Sequence, residues 1–482
     1  MTNIYRGAEE LLYASLTAED IRHWLVPLGF ENWETTHRRL LRIAGMAPHG
    51  RVFADLLPYL LTMLSETGNP DRVLINLERF LTGASDPADL LQFLATHLRA
   101  AEILVRLFDG SQFLTEILLR SPAYFARLIE FQRLAPLKST AQLSADQPSE
   151  PLTEGPERQL NALRRFQRLE LLRIGTCDLL DLFDLPVVTA QLSNLADSLV
   201  QACLAVAAAG PTSIESSDLD DFVVLALGKL GGQELNYSSD IDLLFLSSEA
   251  PSNHRHVAEQ LITGLTEMTK EGFLYRVDMR LRPWGRAGPL VTSTDGYLKY
   301  LIDHARTWEK QALLKARPIA GNLELGQRFL DGAAPILYSI ASHKARDSVR
   351  TMRQLTESHL RKRGLDWGEV KLGEGSIRDV EFVTQYLQLV HGADHRDLRS
   401  HNTLDALARL SMSGFLSAYE TRVLSDGYIF LRTIEHHLQM MHYRQTHTLP
   451  QDNEALTLLA RRLGFSGAEA GKQFVARYEQ HR

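Results

Sequence analysis

The chain has 482 residues, more than one hydrophobic core organises, so we expect roughly two to four domains. Its 44% hydrophobic content is that of an ordinary globular protein and argues against general disorder. A net charge of −7 gives no basic field of the kind that a sequence-independent nucleic-acid binder requires. Composition therefore favours a multidomain globular protein that has no nucleic-acid partner.

The cellular location is read from the absence of targeting patterns. The N-terminal residues show no basic stretch followed by a long apolar one, so no signal peptide is predicted. The most apolar window, 199–209, is too short to span a bilayer. Cys177 and Cys203 lie in apolar helical patterns and are predicted to be buried thiols in a reducing compartment. We expect a cytoplasmic protein with no membrane partner.

The first part of the chain predicts helices. Up to about residue 134, apolar residues recur at i, i+3 and i+4, and Gly- or Pro-containing breakers separate the runs. A polar loop rich in Pro and Ser is predicted at 136–156, followed by long helices at about 156–183 and 187–209. We expect the arginines of the first long helix to form a solvated face paired with acids, rather than a phosphate-binding face; they are Arg158, Arg164, Arg165, Arg168 and Arg173.

The second part begins after a linker, predicted from composition at 210–218. A mixed α/β segment follows, and helical patterns then return up to the last residue. The last helix, at about 468–482, ends without a Gly or Pro terminator, which favours a natural chain that continues beyond Arg482. The predicted fold class is α+β, with a helical domain at 1–217, a central domain with a mixed sheet at 218–325 and a helical bundle at 326–482.

Residues 222–246 carry the most informative pattern. They predict a buried strand at 222–227, a glycine-containing turn, a short helical turn at 233–236 and a second strand that opens with Asp240 and Asp242. Two carboxylates on one side of a strand repel each other unless a cation lies between them. Oxygen ligands of this kind suit Mg²⁺ or Mn²⁺, and these metals commonly accompany phosphates.

A third carboxylate lies in the segment 274–283, where apolar and charged residues alternate. The alternation predicts a strand with Asp278 and the arginines on one face. Asp278 would complete a three-carboxylate metal site, and Arg280 and Arg282 would contact phosphate oxygens. The alternative is an exposed edge strand with mixed charges.

The glycines after the first strand indicate an anion site of a different kind. Lys229-Leu-Gly-Gly232 is not a P-loop, because Leu230 stands where Ser or Thr is required. Gly231 and Gly232 would nevertheless allow backbone amides to approach an anion at the start of the predicted helical turn.

These motifs resemble two known groups of proteins. The order apolar-Gly-Gly, seven residues, Asp-apolar-Asp-apolar resembles the nucleotidyltransferase superfamily typified by DNA polymerase β. The blocks 228–242, 276–283, 308–317 and 371–382 resemble the bifunctional glutamine synthetase adenylyltransferase/adenylyl-removing enzymes, whose chains contain two such halves. The lead-in Asn236-Tyr-Ser-Ser239 looks like that of the N-terminal, adenylyl-removing half, although Ala226 stands where this family usually has Gly.

The resemblance implies an activity and its partners. The activity is removal of AMP from a tyrosine of glutamine synthetase by phosphorolysis, with Asp240, Asp242 and Asp278 holding Mg²⁺ or Mn²⁺. The implied partners are adenylylated glutamine synthetase, a uridylylated PII-type signalling protein, orthophosphate and ADP or ATP. The implied phosphate or nucleotide contacts are Lys229, Gly231, Gly232, Ser239, Arg280, Arg282, Arg378 and Glu381.

The last two of these residues lie in a predicted helix that begins after Gly373 and Gly375. Ser376 and Asp379 have the spacing of a capping box, which would fix the start of this helix. Arg378 and Glu381 would then reach the metal and phosphate cluster from the helical bundle.

Two alternatives remain open. A domain of the same fold can add AMP from ATP to a protein tyrosine, because both directions need the same carboxylates. A catalytically silent regulatory module is disfavoured, because all three aspartates are present.

Overall fold

The structure is a computed structural model that describes residues 8–12, 16–46, 51–130, 134–148, 155–209, 216–249, 251–365, 367–442, 445–467 and 469–482. Helices make up the regular structure of the described residues up to 209. Their bounds are Ala18–Leu25 (α1), Trp33–Ala44 (α2), Arg51–Ser65 (α3), Pro70–Thr82 (α4), Pro87–Thr96 (α5), Leu98–Gly110 (α6), Gln112–Arg120 (α7), Phe125–Ile129 (α8), Thr140–Ala145 (α9), Pro156–Leu179 (α10) and Leu185–Ala208 (α11).

The middle of the chain forms a mixed sheet with short helices. The strands are Phe222–Leu227 (β1), Ile241–Ser247 (β2), Val277–Asp278 (β3), Val291–Ser293 (β4) and Arg317–Gly321 (β5); the helices are Gly228–Gly231 (α12), Arg255–Thr266 (α13), Thr294–Asp303 (α14) and Thr307–Ala312 (α15). β1 is antiparallel to β2 and β5, while β3 and β4 pair with the other edge of β2 in parallel. The predicted α+β fold with a mixed sheet is therefore confirmed.

Helices return after β5. They are Leu323–Leu337 (α16), Ser342–Lys362 (α17), Ile377–His391 (α18), Thr403–Met412 (α19), Ala418–His442 (α20), Asn453–Arg462 (α21) and Ala470–His481 (α22). Just before α20, the Ser417 backbone N–H donates to Glu420 Oε2 at 2.8 Å, and the Glu420 N–H donates to Ser417 Oγ at 3.2 Å. This reciprocal capping fixes the start of the longest helix in the C-terminal part. Within the described residues, no helix is both long and apolar enough to cross a membrane.

The two faces of β1 belong to different hydrophobic clusters. Phe222, Val224 and Ala226 pack with the N-terminal helices, α11 and α13, in one cluster. The alternate residues, beginning with Val223 and Leu225, face α14 and α16 in a second cluster. This alternation buries both faces of the strand, which explains its uninterrupted apolar sequence. A third cluster fills the C-terminal bundle. The first cluster continues across position 217, and the proposed domain limits remain a prediction.

Several predicted local structures differ from those observed. The loop predicted at 136–156 contains α9, because Ser139 and Gln142 form a capping box; its residues 149–154 lie outside the described residues, as does most of the linker predicted at 210–218. The helical turn expected at 233–236 is wrong, since the helical residues are those of α12. The strand expected over 274–283 is also wrong beyond Val277–Asp278.

The arginines of α10 form the predicted solvated face only in part: Arg165 is exposed and paired with an acid, whereas two others are buried. Arg164 is 1% exposed, and its Nη2 donates to the carbonyl oxygen of Glu267 at 3.2 Å. Arg173 is also buried and donates from Nε to Glu170 Oε2 at 2.7 Å. These guanidinium groups join α10 to neighbouring segments, because buried charges require bonded partners.

Candidate active site

The candidate site lies where β1 ends and β2 begins. Leu227, the last residue of β1, pairs with Asp242 of β2, so the following Gly228 stands beside the Asp242 carboxylate. Gly228 has φ +55°, and an added Cβ would lie 2.2 Å from Asp242 Oδ2. A glycine is therefore required at position 228 for its conformation and for the close approach of the carboxylate. The sequence analysis did not single out this residue.

Asp242 also faces a second carboxylate across the sheet. In the parallel pairing of β2 with β3, Asp242 stands opposite Asp278. Burial, and then the charges of Asp278 and Asp240, raise the pKa of Asp242 to about 6. No hydrogen bond from a residue that the structure describes reaches the Asp242 carboxylate. The three predicted aspartates are thus brought close enough to act on one another electrostatically.

The other two aspartates are paired with arginines. Arg276 Nε donates to Asp240 Oδ1 at 2.5 Å. Arg280 lies in the turn after β3 and folds back, so that its Nε donates to Asp278 Oδ2 at 2.7 Å. Burial opposes the charge of Asp278, but hydrogen bonds from the Arg280 side chain and backbone outweigh it and lower the pKa of Asp278. The Arg280 side chain is 65% exposed, which leaves it accessible to a ligand.

The fit of a divalent cation to this site rests mainly on Asp242. In the described part of the chain, no three His, Cys, Asp or Glu side chains are arranged to hold a metal ion. Two of the three aspartates bind arginines instead, as described above. Asp242 has a raised pKa and no bonded partner in the part of the chain that the structure describes, which is the condition of a carboxylate that a cation would stabilise. The carboxylates therefore fit a hard cation in their chemistry, and the metal site remains a proposal.

Lys229 and Arg282, two of the predicted phosphate contacts, are occupied by protein groups. Lys229 Nζ donates to Glu435 Oε1 of α20 at 2.6 Å. Arg282 donates to three backbone carbonyl oxygens, those of Met279 at 2.9 Å, Arg286 at 3.1 Å and Gly288 at 3.2 Å. Both residues hold neighbouring segments in place in this structure.

The small residues of the predicted contacts also support the turn. Gly231 packs against the segment just before β5, because an added Cβ would lie 2.0 Å from the carbonyl oxygen of Lys315. Gly232 would place such a Cβ 3.1 Å from the carbonyl oxygen of His401. Ser239 is buried, and its Oγ accepts from the Asn236 N–H at 3.3 Å.

The residues predicted at the start of α18 have different surroundings. Glu381 accepts from Lys315 Nζ at 2.8 Å and so belongs to a buried ion network. The Arg378 guanidinium lies 5.7 Å from the centre of the Phe382 ring. The predicted capping box is wrong: Ser376 Oγ is buried without a hydrogen-bond partner among the described residues, and Asp379 accepts from the Gly375 N–H instead.

Sequence reasoning missed three residues of this ion network. They lie between the glycine turn and the bundle and are Glu234, Arg432 and Glu435; their partner Lys315 belongs to the block 308–317, which carried the resemblance. Arg432 and Glu435 are separated by three positions within an apolar helical run, and that spacing was the available signal. Lys371, the first residue of the block 371–382, was also given no role. Its charge lowers the pKa of Asp242, so it lies near the aspartates.

These features define the class of the protein. A mixed sheet whose neighbouring strands present aspartates in register, beside a glycine turn, is a nucleotidyltransferase-type arrangement. A family model for glutamate-ammonia ligase adenylyltransferase matches residues 101–332. A second model, for GlnD PII-uridylyltransferase, matches residues 350–482.

Curated relatives give the more particular result. Bifunctional glutamine synthetase adenylyltransferase/adenylyl-removing enzymes of Streptomyces avermitilis and Leifsonia xyli are 35% and 34% identical to the chain, over 88% and 93% of its length. The enzyme of that name from Nitrosococcus oceani is 37% identical over 66% of the chain. The chain is thus a homologue of this enzyme family, as its motifs predicted. It covers 42%, 46% and 35% of these three relatives, which is less than half of their length.

Proposed function

We propose that the chain removes AMP from adenylylated glutamine synthetase by phosphorolysis. The observation that carries the proposal is Asp242, which accepts no hydrogen bond from the described residues and stands opposite Asp278 in a homologue of enzymes that add and remove adenylyl groups. The lead-in Asn236–Ser239, which looks like that of the adenylyl-removing half, favours removal over addition.

The reaction exchanges one phosphoester bond for a phosphoanhydride bond. An oxygen of orthophosphate attacks the phosphorus of adenylyl-tyrosine, the bond from phosphorus to the tyrosine oxygen breaks, and the phenolate takes up a proton. The products are ADP and unmodified tyrosine. Because the nucleophile is already anionic, the site has to supply alignment and charge neutralisation rather than a strong base.

The residues of the site divide this work. Asp240, Asp242 and Asp278 would hold Mg²⁺ or Mn²⁺, which would neutralise phosphate charge when bound. The exposed Arg280 is the phosphate contact that we favour, because its guanidinium remains accessible while it binds Asp278. Lys371 supplies a further positive charge near Asp242. Lys229 and Arg282 support these groups through contacts within the protein.

The names of the relatives support a biological setting for this activity. We propose adenylylated glutamine synthetase as the protein substrate, in a cytoplasmic pathway that regulates nitrogen assimilation. The match of residues 350–482 to the PII-uridylyltransferase model supports a PII-type protein, in its uridylylated form, as the activator.

The test is incubation of the chain with adenylylated glutamine synthetase, Mg²⁺ and labelled orthophosphate, with and without the uridylylated PII-type protein. Labelled ADP that disappears in the Asp242→Asn variant would support the proposal. Release of pyrophosphate from ATP with unmodified synthetase would instead make the chain the AMP-adding enzyme. Neither product, even with the activator present, would contradict both activities and favour a regulatory module.

A further inference from the structure

One face of α20 runs along the segment that joins β1 to β2. Four residues of this face, at i, i+3, i+4 and i+7, contact that segment: Arg432, Glu435, His436 and Gln439. This spacing places them on one stripe of the helix. The stripe follows the segment from Lys229 to Ser238, so a helix of the C-terminal bundle covers the turn that carries the candidate site.

Glu435 is the centre of this contact. Its side chain is fully buried, and its carboxylate accepts from Lys229 Nζ at 2.6 Å and from Asn236 Nδ2 at 2.8 Å. Lys229 and Asn236 are the two ends of the turn, and a single carboxylate therefore closes it. Burial opposes the charge of Glu435, but Lys229, His447 and Arg432 outweigh burial and hold its pKa well below the usual range.

The Asn236 amide is held from both sides by α20. Its Nδ2 donates to Glu435, and its Oδ1 accepts from Arg432 Nη2 at 2.8 Å. Arg432, which is 1% exposed, also donates from Nη2 to the carbonyl oxygen of Glu234 at 2.6 Å. Hydrogen bonds to charged groups in a buried site are the strong ones, so the position of the turn is set by α20.

The position of this turn determines where the aspartates lie. Gly228, next to Lys229, packs against Asp242 Oδ2, and Asn236 is four residues before Asp240. A displacement at either end therefore moves the Asp242 carboxylate relative to Asp278. The neighbouring face of α20 contributes Leu431, Ile434 and Leu438 to the core of the bundle, so the helix joins that core to the site.

We propose that Glu435 is a positioning residue for nucleotidyl transfer, which holds both ends of the turn Lys229–Asn236 and thereby connects the C-terminal bundle to the aspartates. This inference rests on the proposed function for its rate measurement. Glu435 would thus be a further residue needed for the reaction, and through it a change in the packing of the C-terminal bundle would alter the position of the aspartates.

The experiment compares Glu435→Gln with Glu170→Gln in the full chain. Glu170 is a matched control, because it is also a buried carboxylate with two cations, Lys138 and Arg173, which lie in the segment before α9 and on α10, away from the turn. Both variants lose one buried charge, and both are expected to lose stability. Only Glu435→Gln is expected to lower kcat, by about 10- to 100-fold, because a misplacement near 1 Å has an effect of that order. The KM values for adenylylated synthetase and orthophosphate are expected to stay within about threefold.

Amide hydrogen exchange gives a second measurement that needs no activity. At a temperature where all chains are folded, peptides within 228–242 are expected to exchange at least about tenfold faster in Glu435→Gln than in the wild type or Glu170→Gln. The variant Asn236→Ala removes the hydrogen bond between Glu435 and the end of the turn without changing the charge. If Glu435→Gln does not fold, Asn236→Ala should show both the lower kcat and the faster exchange.

The outcomes separate this inference from the proposed function. Unchanged exchange within 228–242, or a kcat loss that only follows the unfolded fraction as in Glu170→Gln, would overturn the role of Glu435. If the wild-type chain adds AMP instead of removing it, the proposed function fails and the same kcat comparison is made in that direction. If the wild type has neither activity, the exchange measurement alone decides the positioning role.

Discussion

Two clusters of charged residues lie on either side of the β1–β2 turn, and they differ in how their carboxylates are paired. In the buried network under α20, Glu234 accepts from Lys315 Nζ and from the Thr403 N–H, each at 2.6 Å. In the cluster at the end of the sheet, Asp242 accepts no hydrogen bond from a described residue. Both clusters are rich in acids and bases, but within the described ranges only the second leaves a carboxylate without a bonded partner.

This difference in pairing indicates that one cluster mainly stabilises the fold and the other mainly serves the reaction. A buried charge is tolerated when its partners satisfy it, and such a residue then holds segments together without remaining reactive. A partly buried carboxylate with a raised pKa and no partner destabilises the fold unless a ligand or cation binds it. We therefore expect substitutions in the buried network to act mainly on unfolding, with the exception of Glu435, whose replacement also displaces the turn. Substitutions around Asp242 are expected to act mainly on catalysis.

The largest expected effect follows the removal of the Asp242 charge. Asp242→Asn should lower the deadenylylation rate at least about 10³-fold, because it removes the central ligand of the proposed cation. The same change should raise the free energy of unfolding at pH 7 without metal, on the order of 1–3 kcal/mol. The pKa of Asp242 is raised to about 6 in the folded state, so its ionisation costs stability as pH rises from about 4 to 6.

This prediction is checked by the phosphate assay and by urea unfolding in a chelating buffer. The stability gain should disappear below about pH 4, where Asp242 is protonated in both the folded and unfolded states. Retained activity would contradict the site, and a loss of stability at pH 7 would contradict the account of its unpaired carboxylate.

The buried network should respond in the opposite way. Lys315→Met leaves the buried Glu234 and the half-buried Glu381 without their shared ammonium, and should lower the free energy of unfolding by about 3–5 kcal/mol. Urea unfolding measures the change, and Lys299→Met, at an exposed position of α14, is the control that should change stability by less than about 0.5 kcal/mol. Equal stability of the two variants would show that the network is not needed for folding.

A glycine pair tests the close approach to Asp242 separately from backbone strain. Gly228→Ala and Gly272→Ala both introduce a side chain at positive φ, which costs about 1–3 kcal/mol. Only at Gly228 does the added Cβ meet the Asp242 carboxylate, whereas at Gly272 nothing lies within 4 Å. The rate should therefore fall about 10²-fold in Gly228→Ala but change by less than about threefold in Gly272→Ala. The melting temperatures of the two variants should be comparable. Similar rates in both would remove the argument for the close approach.

The sheet and two of its aspartates were predictable because local rules determine them. The apolar run of β1 has no other low-energy place than between two packed layers, and Asp242 lies in β2 as the alternation predicted. The segment after Asp278 departs from the predicted strand, because its residues find no neighbouring strand and Arg282 binds carbonyl oxygens of its own loop. Alternation alone does not reveal whether a pairing partner exists.

The partners of the predicted cations were beyond local rules. Lys229 was predicted to contact phosphate, but Glu435, which it binds, is 206 positions away in the sequence. Ser376 has the spacing of a capping residue, yet its hydroxyl is buried and finds no partner among the described residues, and Asp379 accepts from the backbone of Gly375 instead. Such contacts depend on how the bundle packs on the sheet, and one sequence does not contain that information in any short pattern.

The smallest expected effect concerns an exposed arginine of the cluster at the end of the sheet. Arg280→Ala should lower kcat/KM for orthophosphate about 10- to 30-fold, because the guanidinium contributes a charge-assisted contact and lowers the pKa of Asp278. Its effect on the free energy of unfolding should stay below about 1 kcal/mol, since the side chain is 65% exposed. Arg255→Ala is the matched control, because Arg255 is 73% exposed and also pairs with an acid, Glu259, on α13. Equal kcat/KM in the two variants would reduce Arg280 to a surface ion pair, whereas a loss confined to Arg280→Ala would show that exposure at the end of the sheet serves the ligand.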